Sequence, residues 1–178
     1  MTGLLAYGSL IHPDEHAGLP GLLSAHPVTL SGWRRVFHQT PSWRRGEGRT
    51  VAVLDVVPSP GTELPLVLLR FERIDFAETD RRERGYRRIA VEKEKISFPG
   101  DKEPSLPDSL YLYTGRPELR DPTLLPNPDY LALCLEGAAH WGEAFYRGFL
   151  ESTTLGDGTL LGAYLTRENP GQRRKPAR

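Results

Sequence analysis

The chain contains a single cysteine, Cys134, and equal numbers of basic and acidic residues, 23 of each, so its formal net charge is zero. One cysteine excludes an intramolecular disulfide framework and any cysteine-rich zinc site, and it fits a reducing interior. The charge balance leaves no global field to attract nucleic acid or an anionic membrane, so such a partner would need a local patch. No apolar run approaches the length of a membrane span. The first residues, MTGLLAYGSL, lack the charged and apolar regions of a secretory signal, and the cytoplasm is the expected location. No G-x-S-x-G, P-loop or G-x-G-x-x-G signature is present; Gly46-Glu47-Gly48 opens a predicted strand and lacks the helix that a dinucleotide site requires.

What is present is a turn-rich globular composition. Hydrophobic residues make up 38% and charged residues 26% of 178 residues, with 18 Gly and 16 Pro, which falls short of low-complexity disorder. A chain of this length buries roughly 70% of its unfolded surface, so it needs neither a disulfide nor a structural metal to fold. Residues 1–166 are read as one domain. Residues 167–178, with Arg167, Arg173, Arg174, Lys175 and Arg178, form a basic tail expected to be flexible.

Leu4 to Tyr7 is an apolar run stopped by Gly8-Ser9, the pattern of a short buried strand ending in a turn. Pro13, Gly18, Pro20, Gly21 and Pro27 then punctuate the chain too densely for a helix of more than two turns. Strands are predicted over Val28 to His38, Arg49 to Val57 and Leu64 to Phe71, the last two joined as a hairpin by Pro58-Ser59-Pro60-Gly61. Ile74 to Arg84 is polar and Pro-free, a short exposed helix ended by Gly85; Tyr86 to Ile96 and Asp108 to Thr114 follow as strands. Asn127 and Pro128 suit the cap and first position of a helix. Along it Leu131, Cys134, Ala138, Trp141, Phe145 and Phe149 share one face, which predicts a single helix to Phe149. Short-turn connections interrupted by helices imply an α+β domain, with a small mixed or antiparallel, barrel-like sheet flanked by helices.

Three sets of residues compete as chemical sites. His12-Pro13-Asp14-Glu15-His16 fits H-x-x-E-H, but Pro13 and the Gly18-Pro20-Gly21 break leave the two imidazoles on a helical stub, with no third ligand evident; no metal is expected. Cys134 lies mid-stripe on the strongest helix, where a free cysteine acts as a small buried hydrophobe. Trp33-Arg34-Arg35, Trp43-Arg44-Arg45 and the Arg81-to-Arg88 segment interleave aromatics with arginines, a pattern that suits stacking on single-stranded nucleic acid. In a chain of net zero charge such clusters more often form solvated faces or grip carboxylates. A non-catalytic binding module using these clusters is therefore the alternative to an enzyme.

Two segments taken together are more specific. Tyr7-Gly8-Ser9-Leu10 closes the first strand, and Arg82-Glu83-Arg84-Gly85-Tyr86 closes the polar helix. The pair resembles the γ-glutamylcyclotransferase superfamily, its ChaC-like branch in particular, with a YGSL turn near the N-terminus and an R-E-x-G-Y segment after the middle strands. Gly32-Trp33-Arg34-Arg35-Val36-Phe37 through Arg49 is similar to the family's G-x-x-R-x-F…H-R-G…G-R stretch, although Trp43 or Arg44 stands where His is favoured. Tyr111-Leu112-Tyr113-Thr114 is similar to its Y-L-x-T strand, and Asn127 to Phe149 to its P-x-x-Y helix. The ordered set spans Leu4 to about Leu150.

The resemblance implies release of 5-oxoproline from a γ-glutamyl compound, without cofactor or metal. It places Glu83 as the catalytic carboxylate, with surface pairing to neighbouring arginines as its competing role and Glu78 and Asp80 as comparison carboxylates. It gives Tyr7, Gly8, Ser9 and Leu10 a substrate-binding role through turn N–H groups, and Tyr111 a hydrogen bond to the glutamyl moiety. His12-Pro13 departs from the aromatic usual after the turn, on the leaving-group side. The chemistry suits such a sparse site. The α-amine and γ-carbonyl carbon of a γ-glutamyl amide close a five-membered lactam on themselves, so the nucleophile arrives with the substrate. Intramolecular attack reaches effective molarities of roughly 10⁵ M when geometry is held. One carboxylate can take the ammonium proton and return it to the leaving amine.

Overall fold

The structure, a computed structural model, describes residues 1–41, 51–100 and 105–168. Among these residues there are seven strands, β1 (Thr2–Ala6), β2 (Leu22–Gln39), β3 (Val53–Phe71), β4 (Tyr86–Ala90), β5 (Ile96–Ser97), β6 (Ser109–Gly115) and β7 (Thr153–Leu155). Five helices accompany them: α1 (Pro13–His16), α2 (Phe76–Arg82), α3 (Pro128–His140), α4 (Glu143–Glu151) and α5 (Leu161–Glu168). The strands form one sheet in the order β4-β6-β1-β3-β2-β5, with β7 added alongside β2. It is mostly antiparallel; β1 with β6 and β2 with β7 are parallel. The α+β class with a helix-flanked sheet is thus observed.

β1 lies in the middle of the sheet, paired to β3 on one side and β6 on the other. Its near-continuous apolar sequence follows from that position, since a central strand covered on both faces needs no polar alternation. Leu4, Leu5, Leu66, Leu68, Leu69, Leu110 and Leu112 form the core with Tyr130, Leu131 and Cys134 of α3 and Phe145 and Phe149 of α4. The turn after β1 therefore leaves from a strand held on both sides.

Two sequence expectations are corrected. Pro58-Ser59-Pro60-Gly61 is not a hairpin: the chain keeps its direction, and β2 pairs with β3 on both sides of it, from Leu22↔Phe71 to Ser31↔Glu63 and again from Trp33↔Pro58 to Gln39↔Val53. Ser59 to Thr62 are accommodated opposite Gly32 as a bulge, which suits residues that include a proline with no N–H for the ladder. The predicted strand from Val28 accordingly begins earlier, at Leu22. The second correction concerns the helix to Phe149, which breaks into α3 and α4. Gly142 has φ +96°, a conformation that L side chains rarely adopt, while the Trp141 indole N–H donates to the Ile11 carbonyl at 2.9 Å and fixes the corner. The apolar stripe continues across the break because both helices cover the same sheet.

α5 reaches Glu168, so the first two residues of the expected tail are helical; the remainder lies outside the described residues. No helix among the described residues is long and apolar enough to cross a membrane.

Candidate active site

A small cleft, with about 70 Å³ of free volume, opens beside the end of β1. Tyr7, Gly8, Ser9 and Leu10 line it together with Glu83, Leu54, Tyr86, Tyr113 and Tyr130. Two segments 73 positions apart in sequence, Gly8-to-Leu10 and Glu83, thus share one concavity.

The turn leaves β1 and closes as a single 3₁₀ turn, Ser9–Ile11, in which the Ile11 N–H donates to the Gly8 carbonyl at 3.0 Å. Gly8 is required by close approach: a Cβ there would collide with the Tyr130 hydroxyl. Behind the turn, Arg35 Nε donates to the Tyr7 carbonyl at 2.8 Å. Desolvation, first of all, raises the Tyr7 and Tyr130 hydroxyls well above the ordinary phenol range, so both remain protonated.

Glu83 follows the last turn of α2 with φ −93° and ψ 37°, and its N–H still donates to the Thr79 carbonyl at 3.0 Å. It is half-buried, whereas Glu78 and Asp80 are exposed. α2 buries none of its own residues and is fastened by side chains instead. The Tyr113 hydroxyl donates to Asp80 Oδ1 at 2.5 Å, Arg88 Nη2 lies 3.5 Å from Asp80 Oδ2, and the Arg88 guanidinium stacks 3.6 Å over the Phe76 ring. Burial and the Asp80 carboxylate both push the Tyr113 pKa up, which keeps it a donor. Asp80 is therefore a structural anchor, no neutral comparison for Glu83.

The segment after Glu83 is held just as closely. The Tyr86 N–H donates to the Glu83 carbonyl at 2.8 Å, and the Gln39 amide and Arg116 N–H both donate to the Gly85 carbonyl, at 2.9 and 3.1 Å. Gly115, which pairs with Tyr86, gives its N–H to the buried Asp55 carboxylate at 2.5 Å. Asp55 Oδ2 also meets His38 Nε2 and Arg120 Nε, each at 2.9 Å. Burial alone would raise the Asp55 pKa; the His38 and Gly115 hydrogen bonds and the Arg120 charge outweigh it and hold the carboxyl below its ordinary value.

This fold has been seen before. The chain is similar to a structure titled γ-glutamyl cyclotransferase, with a TM-score of 0.60 and 18% identity over 83% of this chain and 85% of the other. It is also similar to a γ-glutamyl cyclotransferase specific to glutathione from yeast, with a TM-score of 0.55 and 14% identity over 92% and 98% of the two chains. YkqA from Bacillus subtilis matches with a TM-score of 0.59 and 16% identity over 82% of this chain and 51% of its own. No family model matches the sequence, and no curated protein matches it.

Of the residues singled out from sequence, Tyr111 stands outside the cleft lining: its ring packs edge-on against Phe76, with centroids 4.8 Å apart, and Arg88 lies over it. Tyr113, two residues on and on the same strand face, lines the cleft instead. Leu54, Tyr86 and Tyr130 complete the lining without a sequence expectation for that role; Tyr86 closes the R-E-x-G-Y segment and Tyr130 stands in the P-x-x-Y helix, so these two carry a signal and Leu54 carries none. His12 accepts the Asp14 N–H at 3.2 Å as the cap of α1, and buried His16 meets the Leu10 carbonyl at 2.8 Å. Cys134 is fully buried. In the first Trp-Arg-Arg triplet Arg34 is exposed but Arg35 is wholly buried, so the triplet is not a continuous cationic surface. Trp43-Arg44-Arg45, Gly46-Glu47-Gly48 and Arg49 lie outside the described residues.

Proposed function

We propose that this cleft binds a γ-glutamyl compound and cyclises it to 5-oxoproline, as an enzyme of the ChaC-like branch acting without a cofactor. The observation that carries the reading is that half-buried Glu83 and the Tyr7-Gly8-Ser9-Leu10 turn line one cleft. Chemistry needs a proton carrier and oxyanion donors around a folded substrate, and these two segments supply those two functions.

In the proposed reaction the Glu83 carboxylate takes a proton from the substrate's α-ammonium. The freed amine attacks the γ-carbonyl carbon and forms the lactam C–N bond. Negative charge develops on the carbonyl oxygen, where turn N–H groups stabilise it. Collapse breaks the original amide C–N bond as Glu83 returns its proton to the departing nitrogen; the attacking nitrogen's second proton passes through the same carboxylate to the released amine, which departs as the ammonium. Water is not consumed; the products are 5-oxoproline and the free amine or peptide. The neutral hydroxyl of Tyr7, raised above the ordinary phenol range by burial, adds a donor without adding charge.

The substrate class includes glutathione, other γ-glutamyl thiols, γ-glutamyl amines and γ-glutamyl dipeptides. A panel of these compounds, each scored for 5-oxoproline, tests the proposal. Turnover of at least one member is expected, and absence of 5-oxoproline from all of them overturns the reading.

A further inference from the structure

Arg35 heads the fully buried side chains by volume, and its guanidinium faces no carboxylate among the described residues. Its partners are neutral. Nε donates to the Tyr7 carbonyl at 2.8 Å, Nη1 to Ser152 Oγ at 3.0 Å and Nη2 to the Pro65 carbonyl, and the guanidinium lies 4.3 Å from the centre of the Phe149 ring. Burying a cation without a counter-charge is costly. Desolvation lowers the pKa to about 9, which leaves the group charged at neutral pH.

The Tyr7 carbonyl belongs to the peptide unit that enters the turn. Its bond is trans, so the carbonyl and the Gly8 N–H point to opposite sides. With the carbonyl turned to Arg35, the N–H is directed away from it, and it is Gly8, not Arg35, that lines the cleft. The Gly8 N–H makes no hydrogen bond among the described residues. A cation on an amide oxygen draws electron density from the nitrogen, and successive hydrogen bonds strengthen one another in a low-dielectric interior.

We infer that Arg35 is a positioning residue: it locks and polarises the Tyr7–Gly8 peptide so that the Gly8 N–H is presented as a strengthened donor to the oxyanion formed at the substrate's γ-carbonyl. This rests on the cyclisation reading for its catalytic part only; the polarised peptide is a property of the substrate-free protein.

The test measures kcat and KM for a turned-over γ-glutamyl substrate and, without substrate, the ¹⁵N–¹H resonance of Gly8. Arg35→Met is expected to lower kcat by about tenfold to a hundredfold while KM moves less than about threefold, the split of an interaction made in the transition state. The Gly8 resonance shifts in this variant, while the amides of Leu5 and Leu68 stay in place. Arg35→Lys, which keeps the charge but not the fork, is intermediate in both measurements. A folded Arg35→Met protein with unchanged kcat, a loss confined to KM, or an unmoved Gly8 resonance overturns the inference. Should Arg35→Met not fold, Arg35→Lys decides on the same criteria: a shifted Gly8 resonance with kcat reduced several-fold at constant KM supports it, and wild-type behaviour overturns it. If the wild-type protein releases no 5-oxoproline, it is the cyclisation reading that has failed. The Gly8 resonance then decides the polarised peptide by itself.

Discussion

The Tyr86 hydroxyl donates to the Leu54 carbonyl at 2.7 Å, and both residues line the cleft that holds Glu83. This bond ties the strand that follows Glu83 to the start of β3. A glutamate at the end of a seven-residue helix with no buried residues would otherwise sit on the least constrained part of the sheet edge.

Glu83→Gln is expected to abolish 5-oxoproline release, because the amide keeps the shape and removes the proton carrier. Loss of a placed general acid–base is worth about 10²–10⁴ in rate. The variant's thermal unfolding midpoint should stay near that of the wild type. Exposed Glu78→Gln, tested beside it, is expected to keep activity within a few-fold. Full activity in Glu83→Gln would sink the mechanism.

Gly8→Ala places a methyl group against the Tyr130 hydroxyl. A destabilisation of about 1–3 kcal/mol is expected from overpacking, together with reduced turnover as the turn shifts. The check is a double-mutant comparison by chemical denaturation. Adding Tyr130→Phe removes the obstructing oxygen and should recover part of the lost stability; strictly additive losses would show that the hydroxyl is not the obstacle.

Asp55 links the cleft's supports to pH. Its folded-state pKa is below the ordinary value, so the carboxylate's stabilising contribution is present above the unfolded pKa of about 4 and is lost as pH falls through the folded one. Asp55→Asn removes that dependence. At pH 7 the variant leaves the Arg120 guanidinium without its buried carboxylate, and about 3–5 kcal/mol of stability should be lost. Denaturant unfolding at a series of pH values checks both statements: the gap between wild type and variant should narrow below about pH 4.

Gly142→Ala tests the corner between α3 and α4. At φ +96° the added Cβ is strained, so a loss of about 1 kcal/mol is expected in place of the gain that alanine usually brings to a helix. A stabilised variant would mean that the two helices can merge, as their sequence pattern suggests.

Part of the candidate site is legible in local signals and part only through the family resemblance. An apolar run stopped by Gly8-Ser9 marks the turn, and a polar helix ending before Gly85 marks the segment; the choice of Glu83 within that segment is what the R-E-x-G-Y resemblance implies. Tyr111 and Tyr113 show the limit. They share a strand face and a residue type, and only the packing of Phe76 and Arg88 from neighbouring elements settles which of the two reaches the cleft. Leu54 has no local signal, and the P-x-x-Y signal at Tyr130 does not say what its hydroxyl faces, since the place of both in the lining comes from pairing and helix docking over long sequence distances.

By itself, the sequence determined the class of fold, the strand character of β1, β2, β3, β4 and β6 and the cap at Asn127. Those properties reside in periodicity, turn residues and caps, which act over a few neighbours. The two segments on which the proposed chemistry depends are legible in the sequence through their resemblance to a family's ordered motifs. Tertiary structure decided that Pro58-to-Gly61 is a bulge, that Gly142 splits one apolar stripe into two helices, and that Arg35 belongs behind the Tyr7 carbonyl and away from solvent. An arginine in a Trp-Arg-Arg triplet reads as surface because burial of its charge is costly. Only the assembled carbonyls of Tyr7 and Pro65, the Ser152 hydroxyl and the Phe149 ring make its interior place tenable.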